Sequence, residues 1–230
     1  MGIVGRVSTV SYLRVAEAIE ATGMVARGGF VAGPGDALPR ARCGRPARAV
    51  IVVGNVGGTM WPRFRAEQRD EPDPLDAWTR RTLAPVADGF GAVLVHPSDE
   101  PFPPIMRWAQ RAADVWPSPI GLLVHPTDGL WHAYRGALLF DRTVTDLPPT
   151  GRATSPCLGC DQPCLSTCPV DAFTPGDYDH EACRDHVRSD RDPDCTSAGC
   201  AARRACPVNR DGYYGVDQMR FHMKAFVGGV

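Results

Sequence analysis

A chain of 230 residues is long enough for one sizeable domain, or for a medium domain with a small one. Its formal net charge of -1 gives no sign of the clustered positive charge by which proteins hold nucleic acid. No apolar run approaches the ~20 residues that a membrane helix needs. The opening stretch, MGIVGRVSTVSYLRVAEAIE, has no charged n-region followed by an apolar h-region and no twin arginine. Arg6 stands where a myristoylation motif takes Ser or Thr. These readings predict a cytoplasmic protein with no membrane or nucleic-acid partner.

Along the chain, Leu13, Ala16, Ile19 and Ala21 recur at helical spacing and predict a helix within Ser11 to Met24. The β-branched run Val50 to Val53 ends in glycines and predicts a buried strand that feeds a loop. Asp73-Pro74 is a helix start, with Pro85 expected to kink or end that helix. GAVLVH predicts a second buried strand, and PPIMRWAQRAADVW a helix after Pro104. GLLVHP and WHAYRGALLF flank a turn at Thr127-Asp128-Gly129 and predict a hairpin. Strands alternating with helices indicate an α/β or α+β domain over residues 1–148. LPPTGRATSP reads as a linker, and residues 149–230 form a second domain too poor in apolar runs to hold itself without metal. GVDQMRFHMKAF returns to helical spacing and is expected to pack back on the first domain.

Eight of the nine cysteines lie between Cys157 and Cys206. In a chain without an export signal, clustered cysteines point to metal or redox chemistry rather than to disulfides. Cys43 stands alone and reads as an ordinary, small, buried thiol. The first group is Cys157-x2-Cys160-x3-Cys164-x3-Cys168-Pro169. It resembles the bacterial ferredoxin run C-x2-C-x2-C-x3-C-P, with one extra residue before the third cysteine. The second, Cys183-x11-Cys195-x4-Cys200-x5-Cys206-Pro207, is a stretched version that also ends in Cys-Pro. Eight thiolates suit two 4Fe–4S clusters. In two-cluster ferredoxins the fourth cysteine of each run crosses to the other cluster. Carried over, Cys157, Cys160, Cys164 and Cys206 hold one cluster, and Cys183, Cys195, Cys200 and Cys168 the other. Structural zinc also takes four thiolates and is the alternative. The two Cys-Pro endings and the tight first group favour iron and sulfur.

About two-thirds of the chain precedes the clusters, more than a free ferredoxin needs. GLLVHPTDGLWHAYRGALLFDRTVTDLPP (Gly121 to Pro149) resembles cobalamin-processing proteins of the CblC type. That family has a His-Pro-x-x-Gly-Gly-Trp stretch, an Arg-Gly strand and a Leu-Pro-Pro exit. Here these are His125 to Trp131, Tyr134-Arg135-Gly136 and Leu147-Pro148-Pro149, with Leu130 in place of the second glycine. GNVGGTMWPRF resembles the same family's strand-end loop. Two ferredoxin-like motifs after such a domain resemble the arrangement in epoxyqueuosine reductase and the reductive dehalogenases. The resemblance implies an α+β fold: a nitroreductase-like α/β sandwich that holds a base-off corrinoid, followed by a small ferredoxin-like domain.

It also implies cobalamin as a further cofactor and names its candidate contacts: His125, Gly129, Trp131, Tyr134, Arg135, Gly57, Gly58, Met60 and Trp61. A flat macrocycle wants an apolar cleft with a few polar anchors. Trp131, Trp61, Met60 and Tyr134 suit its walls. The glycines at 54, 57 and 58 allow close backbone approach, and Arg135 can pair with a carboxylate or an amide. In the family, the matching arginine lies near the thiol co-substrate. Each also has a plainer reading: Trp131 and Tyr134 as strand core, His125 as a loop histidine, and His96 and His132 as structural residues.

The expected function is that of an oxidoreductase, a cobalamin-binding reductase of the decyanase type. It takes electrons from an upstream donor and passes them through two 4Fe–4S clusters to a bound corrinoid, whose upper axial ligand then leaves. An epoxyqueuosine-reductase-like enzyme acting on an organic substrate is a variant, with Asp128 a candidate acid by position alone. The other readings are an electron-transfer protein with a docking domain and a flavin reductase. For the last, GNVGG after a strand is too short a phosphate-loop signal.

Overall fold

The structure is a computed structural model and describes residues 9–189 and 193–228. The first eight residues of the opening stretch read above for targeting lie outside them. The elements run β1 (Val10–Ser11), α1 (Tyr12–Glu20), β2 (Val25–Val31), β3 (Ala49–Val56), α2 (Trp61–Glu67), α3 (Pro74–Gly89), β4 (Val93–Val95) and α4 (Ile105–Ala112). They continue with β5 (Trp116–Pro117), β6 (Leu123–Val124), β7 (His132–Phe140), β8 (Val144–Thr145), β9 (Phe173–Thr174) and β10 (Asp177–Tyr178). The last four are α5 (His180–Arg188), α6 (Pro193–Ser197), α7 (Ala201–Arg204) and α8 (Val216–Phe226). The fold is mixed α+β with open sheets. Among the described residues no helix is long and apolar enough to cross a membrane.

The chain divides into two compact units. The first takes Pro62–Ala113, Ala133–Gly151 and most of the first 55 residues. The second takes Val56–Trp61, Asp114–His132 and the chain from Arg152 onward. The linker near residue 149 marks where the chain leaves the first unit for the last time, but the second unit also draws on two earlier segments.

The first unit is built on a four-stranded sheet of order β2-β3-β7-β4. β2 runs antiparallel to β3 and β4 antiparallel to β7. Successive strand side chains point to opposite faces. Every residue of β3 from Ala49 to Val53, and of β7 from Ala137 to Phe140, is nevertheless fully buried, so both faces are covered. That explains why these strands read as unbroken apolar runs. On one face Val50, Val52, Ala137 and Leu139 pack with Ile105, Trp108 and Ala112 of α4. Trp108 Nε1 donates to the Asp36 carbonyl at 2.7 Å, which satisfies its one polar atom.

Three expectations are corrected here. Pro85 does not end its helix, because α3 continues to Gly89. Pro85 is exposed, so water can serve the carbonyl that its missing N–H leaves free. The predicted hairpin does not form. β6 pairs with β5, while β7 joins the large sheet, and only the His125–Gly129 bridge closes the turn. Pro126 has no N–H to extend a ladder past His125, and β7 buries far more apolar surface between β3 and β4. Cys43 is exposed rather than buried, in the left-handed region at φ 56°.

The second unit has a small core in which cysteines count as apolar residues. Ile120, Val124, Leu130, Cys164, Phe173, Ala202 and Cys206 pack together. The C-terminal helix α8 packs within this unit, against α6, and Met219 lies against Gly199. From the region it was expected to cover it meets Trp61, at a ring separation of 5.3 Å from Phe221.

Gly54 was read as leaving space for a ligand. A Cβ at Gly54 would instead overlap the Ala133 carbonyl, within the first unit's own sheet. Gly54→Ala is therefore expected to destabilise the protein by about 2–4 kcal/mol through strand displacement. Denaturant titration followed by circular dichroism measures this, and an unchanged midpoint would show that the strands part freely there.

Candidate functional site

The eight clustered cysteines, Cys157 to Cys206, lie in the second unit on loops and short helices. In the first run Gln162 takes left-handed φ of 52° just before a short 3-10 turn from Pro163 to Leu165. The Gln162 N–H then points at Cys160 Sγ, 3.4 Å away. The Ala172 N–H points likewise at Cys168 Sγ, also at 3.4 Å. Cys200 receives backbone N–H groups from Ala202 and Arg203, and Cys206 one from Val208. Donors aimed at sulfur favour the thiolate, the form that binds metal.

Cys157, Cys160, Cys164 and Cys206 line one hollow. Its other walls include Val124, Leu130 and Val208, with Pro119, Pro156, Pro163 and Pro207. The space between the wall atoms, counting the part open to solvent, is about 370 Å³. Burial, and then the neighbouring sulfurs, push the thiols of Cys157, Cys164 and Cys206 above their ordinary value. The mutual influence joins all four: Cys206 and Cys160 act on Cys157, and Cys157, Cys206 and Cys160 act on Cys164. The structure thus brings together the first set that the crossed ferredoxin pattern names.

In the second set, Cys168, Cys183 and Cys200 feel one another's charge. Burial is the main reason the thiols of Cys183 and Cys200 are raised. Cys195 is buried on α6. A residue not singled out in the sequence, Tyr178, stacks on Phe173 at 4.6 Å and 9°, with its hydroxyl hydrogen-bonded to Cys183. Burial first, then that bond and the three nearby cysteines, push its phenol upward. All nine cysteines are free of disulfides. Among the described residues, no three His, Cys, Asp or Glu side chains are placed to hold a single metal ion.

The candidate corrinoid contacts fall in both units. His125, Gly129, Trp131, Gly57, Gly58, Met60 and Trp61 belong to the second. His125 organises its own turn: Nδ1 accepts the N–H groups of Thr127 and Asp128 at 3.3 and 3.2 Å. Asp128 Oδ2 lies 3.2 Å from the same nitrogen. Gly129, at φ 60°, lets the Val208 backbone close in where a Cβ would overlap its carbonyl. Trp131 is 1% exposed. It packs against Tyr213 and Tyr214 with ring centroids at 4.4 and 5.4 Å. The Arg203 guanidinium lies 4.5 Å above Trp131 and donates to the Leu130 carbonyl through Nε and Nη2. Gly57 donates its N–H to the Trp131 carbonyl at 2.6 Å, and Gly58 is exposed. Met60 is fully buried, and Trp61 Nε1 donates to Asp217 at 3.2 Å.

Tyr134 and Arg135 belong to the first unit, half-buried on β7. Tyr134 packs at the edge of the α4 core, and Arg135 Nε donates to Asn55 Oδ1 at 3.3 Å. His96 and His132 are buried. His132 Nε2 donates to the Leu123 carbonyl at 2.9 Å. His96 is held neutral mainly by burial.

No protein-family model and no curated protein matches the chain. Solved structures do match in fold. An epoxyqueuosine reductase in selenomethionine-labelled form superposes at TM-score 0.53 with 12% identity, covering 90% of this chain and 68% of that one. An epoxyqueuosine reductase with an epoxyqueuosine-modified tRNA-Tyr stem loop gives 0.50 and 13%, covering 89% and 66%. The C. elegans B12-trafficking protein CblC, a human MMACHC homologue, gives 0.51 and 14%, covering 94% of both chains. The chain thus spans about two-thirds of the reductases and nearly all of CblC. The resemblances to CblC-type proteins and to epoxyqueuosine reductase reappear as likeness of fold.

Arg203→Ala removes two hydrogen bonds to a buried carbonyl and the cation over two rings. It is expected to lower stability by about 2–4 kcal/mol. Denaturant titration of the as-isolated protein, followed by tryptophan fluorescence, checks this; a midpoint like the parent's would mean the stack contributes nothing.

Proposed function

We propose that the protein is a cobalamin-binding iron–sulfur reductase. It receives electrons from an upstream donor, in a reducing cytoplasm, and delivers them through two 4Fe–4S clusters to a bound corrinoid, so that the corrinoid's upper axial ligand is released. The observation that supports this best is the first quartet. Cys206 lies far downstream of Cys157, Cys160 and Cys164, yet all four wall one hollow. That grouping is what the crossed arrangement of two-cluster ferredoxins would require. A single zinc asks four sulfurs to converge within about 2.3 Å of one point, whereas a cluster asks for sulfurs around a space, and four cysteines lining one hollow support the latter. In this reading the ferredoxin-like part is the second unit and the nitroreductase-like part the first.

The corrinoid half of the reading rests on likeness of fold to a B12-trafficking protein, together with the motif from His125 to Arg135. When bound, a corrinoid supplies a cobalt centre whose axial ligands weaken on reduction. Of the residues named for it, Arg135 and Tyr134 have half-exposed side chains. Arg135 suits an acidic or amide group as a fixed cation, and Tyr134 offers an aromatic surface. Trp131 and Gly129 serve the second unit's own packing. That commitment favours a second reading, in which the first unit is a docking module for a redox partner and no corrinoid binds. The fold equally suits a corrinoid enzyme that reduces an organic substrate, as the likeness to epoxyqueuosine reductase suggests.

Two outcomes are expected. The anaerobically reconstituted protein should hold about eight irons and eight acid-labile sulfides. Cys206→Ser should perturb one cluster and Cys168→Ser the other in electron paramagnetic resonance; zinc without sulfide would refute the clusters. Added cobalamin should shift to a base-off visible spectrum, and Arg135→Ala should weaken that binding about tenfold with iron content unchanged. No spectral change, with rapid reduction of a partner protein, would favour the docking module instead.

A further inference from the structure

Ser118 lies in the turn between β5 and β6, flanked by Pro117 and Pro119. Its backbone is fully used. The N–H donates to the Leu122 carbonyl at 2.8 Å, and its carbonyl accepts from Gly121 at 3.0 Å. The residue is 9% exposed, and its Oγ is buried with no hydrogen-bond partner among the described residues. A buried hydroxyl left unsatisfied costs about 1–3 kcal/mol, so an orphan one marks a missing acceptor. Ser118 is also a wall of the hollow that Cys157, Cys160, Cys164 and Cys206 surround. Apart from these cysteines, the other polar side chain on that wall is Gln162, which is exposed. The rest is aliphatic or proline, and proline has no N–H to give.

We infer that the Ser118 hydroxyl donates a hydrogen bond to a sulfur of the cluster held by this quartet, and so sets that cluster's reduction potential. The inference rests on the reading that the quartet binds an iron–sulfur cluster. Reduction adds one electron, and the reduced cluster carries one more negative charge on its iron and sulfur atoms. An O–H donor stabilises the more negative form more, so it raises the potential. The apolar wall pulls the other way, because low polarity disfavours added charge. Ser118 is thus a positioning and tuning residue, and the protons of the hollow stay where they are.

The test uses the anaerobically reconstituted full chain, with Ser118→Ala and Ser118→Thr beside the parent. Iron and sulfide are assayed first, and then each protein is poised with dithionite and mediators and followed by electron paramagnetic resonance. Cys206→Ser identifies which signal belongs to this quartet. Ser118→Ala should lower the potential of that cluster alone, and Ser118→Thr, which restores a hydroxyl, should hold it near the parent's. Loading of the threonine variant but not of the alanine variant would also support the hydroxyl. An unchanged potential in Ser118→Ala, equal shifts in both variants or loss of the cluster from both would overturn the inference. A parent protein without iron and sulfide would overturn the cluster reading itself, and that is seen in the assay before any titration.

Discussion

The guanidinium of Arg203 is the contact on which the cysteine-bearing unit depends. Arg203 sits on α7, between Cys200 and Cys206 in sequence. Its planar head covers Trp131 and Tyr214, each with a centroid 4.5 Å away, and its N–H fork holds the Leu130 carbonyl. An arginine can do all this at once because its five donors lie in one plane while its face stacks on rings. A lysine offers only a point charge. The effect is to bind the segment around Trp131 to the cysteine run. That segment contributes Ile120, Val124 and Leu130 to a core that residues after 151 cannot supply alone. Each such side chain fully buried is worth about 1.5–3 kcal/mol.

The small core and the thiols share one space. Burial pushes Cys157, Cys164, Cys183, Cys200 and Cys206 upward, and each raises its neighbours. These thiols are therefore neutral near pH 7 and pack as small hydrophobes. Ligation needs thiolates, so loading releases protons and grows weaker as pH falls. The backbone N–H groups that Cys200 and Cys206 accept offset part of that penalty. These donors would limit the rearrangement that metal ligation would require.

Spacing along the chain was enough to identify the buried strand around Val50 to Val53 and the helices after Asp73 and Pro104, because each depends on local pattern. β2 was not legible. Its sequence, VARGGFV, lacks alternation and holds two glycines, and it is a strand because β3 pairs with it and α4 covers it. The false hairpin has the opposite cause: a sound turn at His125 to Gly129 says nothing about which partner β7 prefers. Trp131, read both as a corrinoid wall and as strand core, is buried just before β7, and its partners lie at 203, 213 and 214, where no local signal points. Ser118 carries no signal at all, since a serine between prolines is ordinary turn chemistry. Only the orphaned hydroxyl and the hollow beside it single it out.

Leu130 shows how the departure from the CblC-type pattern is put to use. A glycine at that position would leave backbone alone between Gly129 and Trp131. Leu130 is 2% exposed, packs with Cys164 and Cys206, and walls the hollow of the first quartet. Its carbonyl is the one Arg203 holds. One residue thus fills the core, limits water around the cysteines and anchors the cation that fixes Trp131. Gly129 beside it remains a glycine for a reason within the same unit, since the Val208 backbone occupies the space a Cβ would take. Val208 follows the Cys206-Pro207 ending directly, and its N–H points at Cys206. The Gly129-Leu130 pair therefore shapes the cysteine-lined side of the second unit, at the position where the CblC-type pattern has a second glycine.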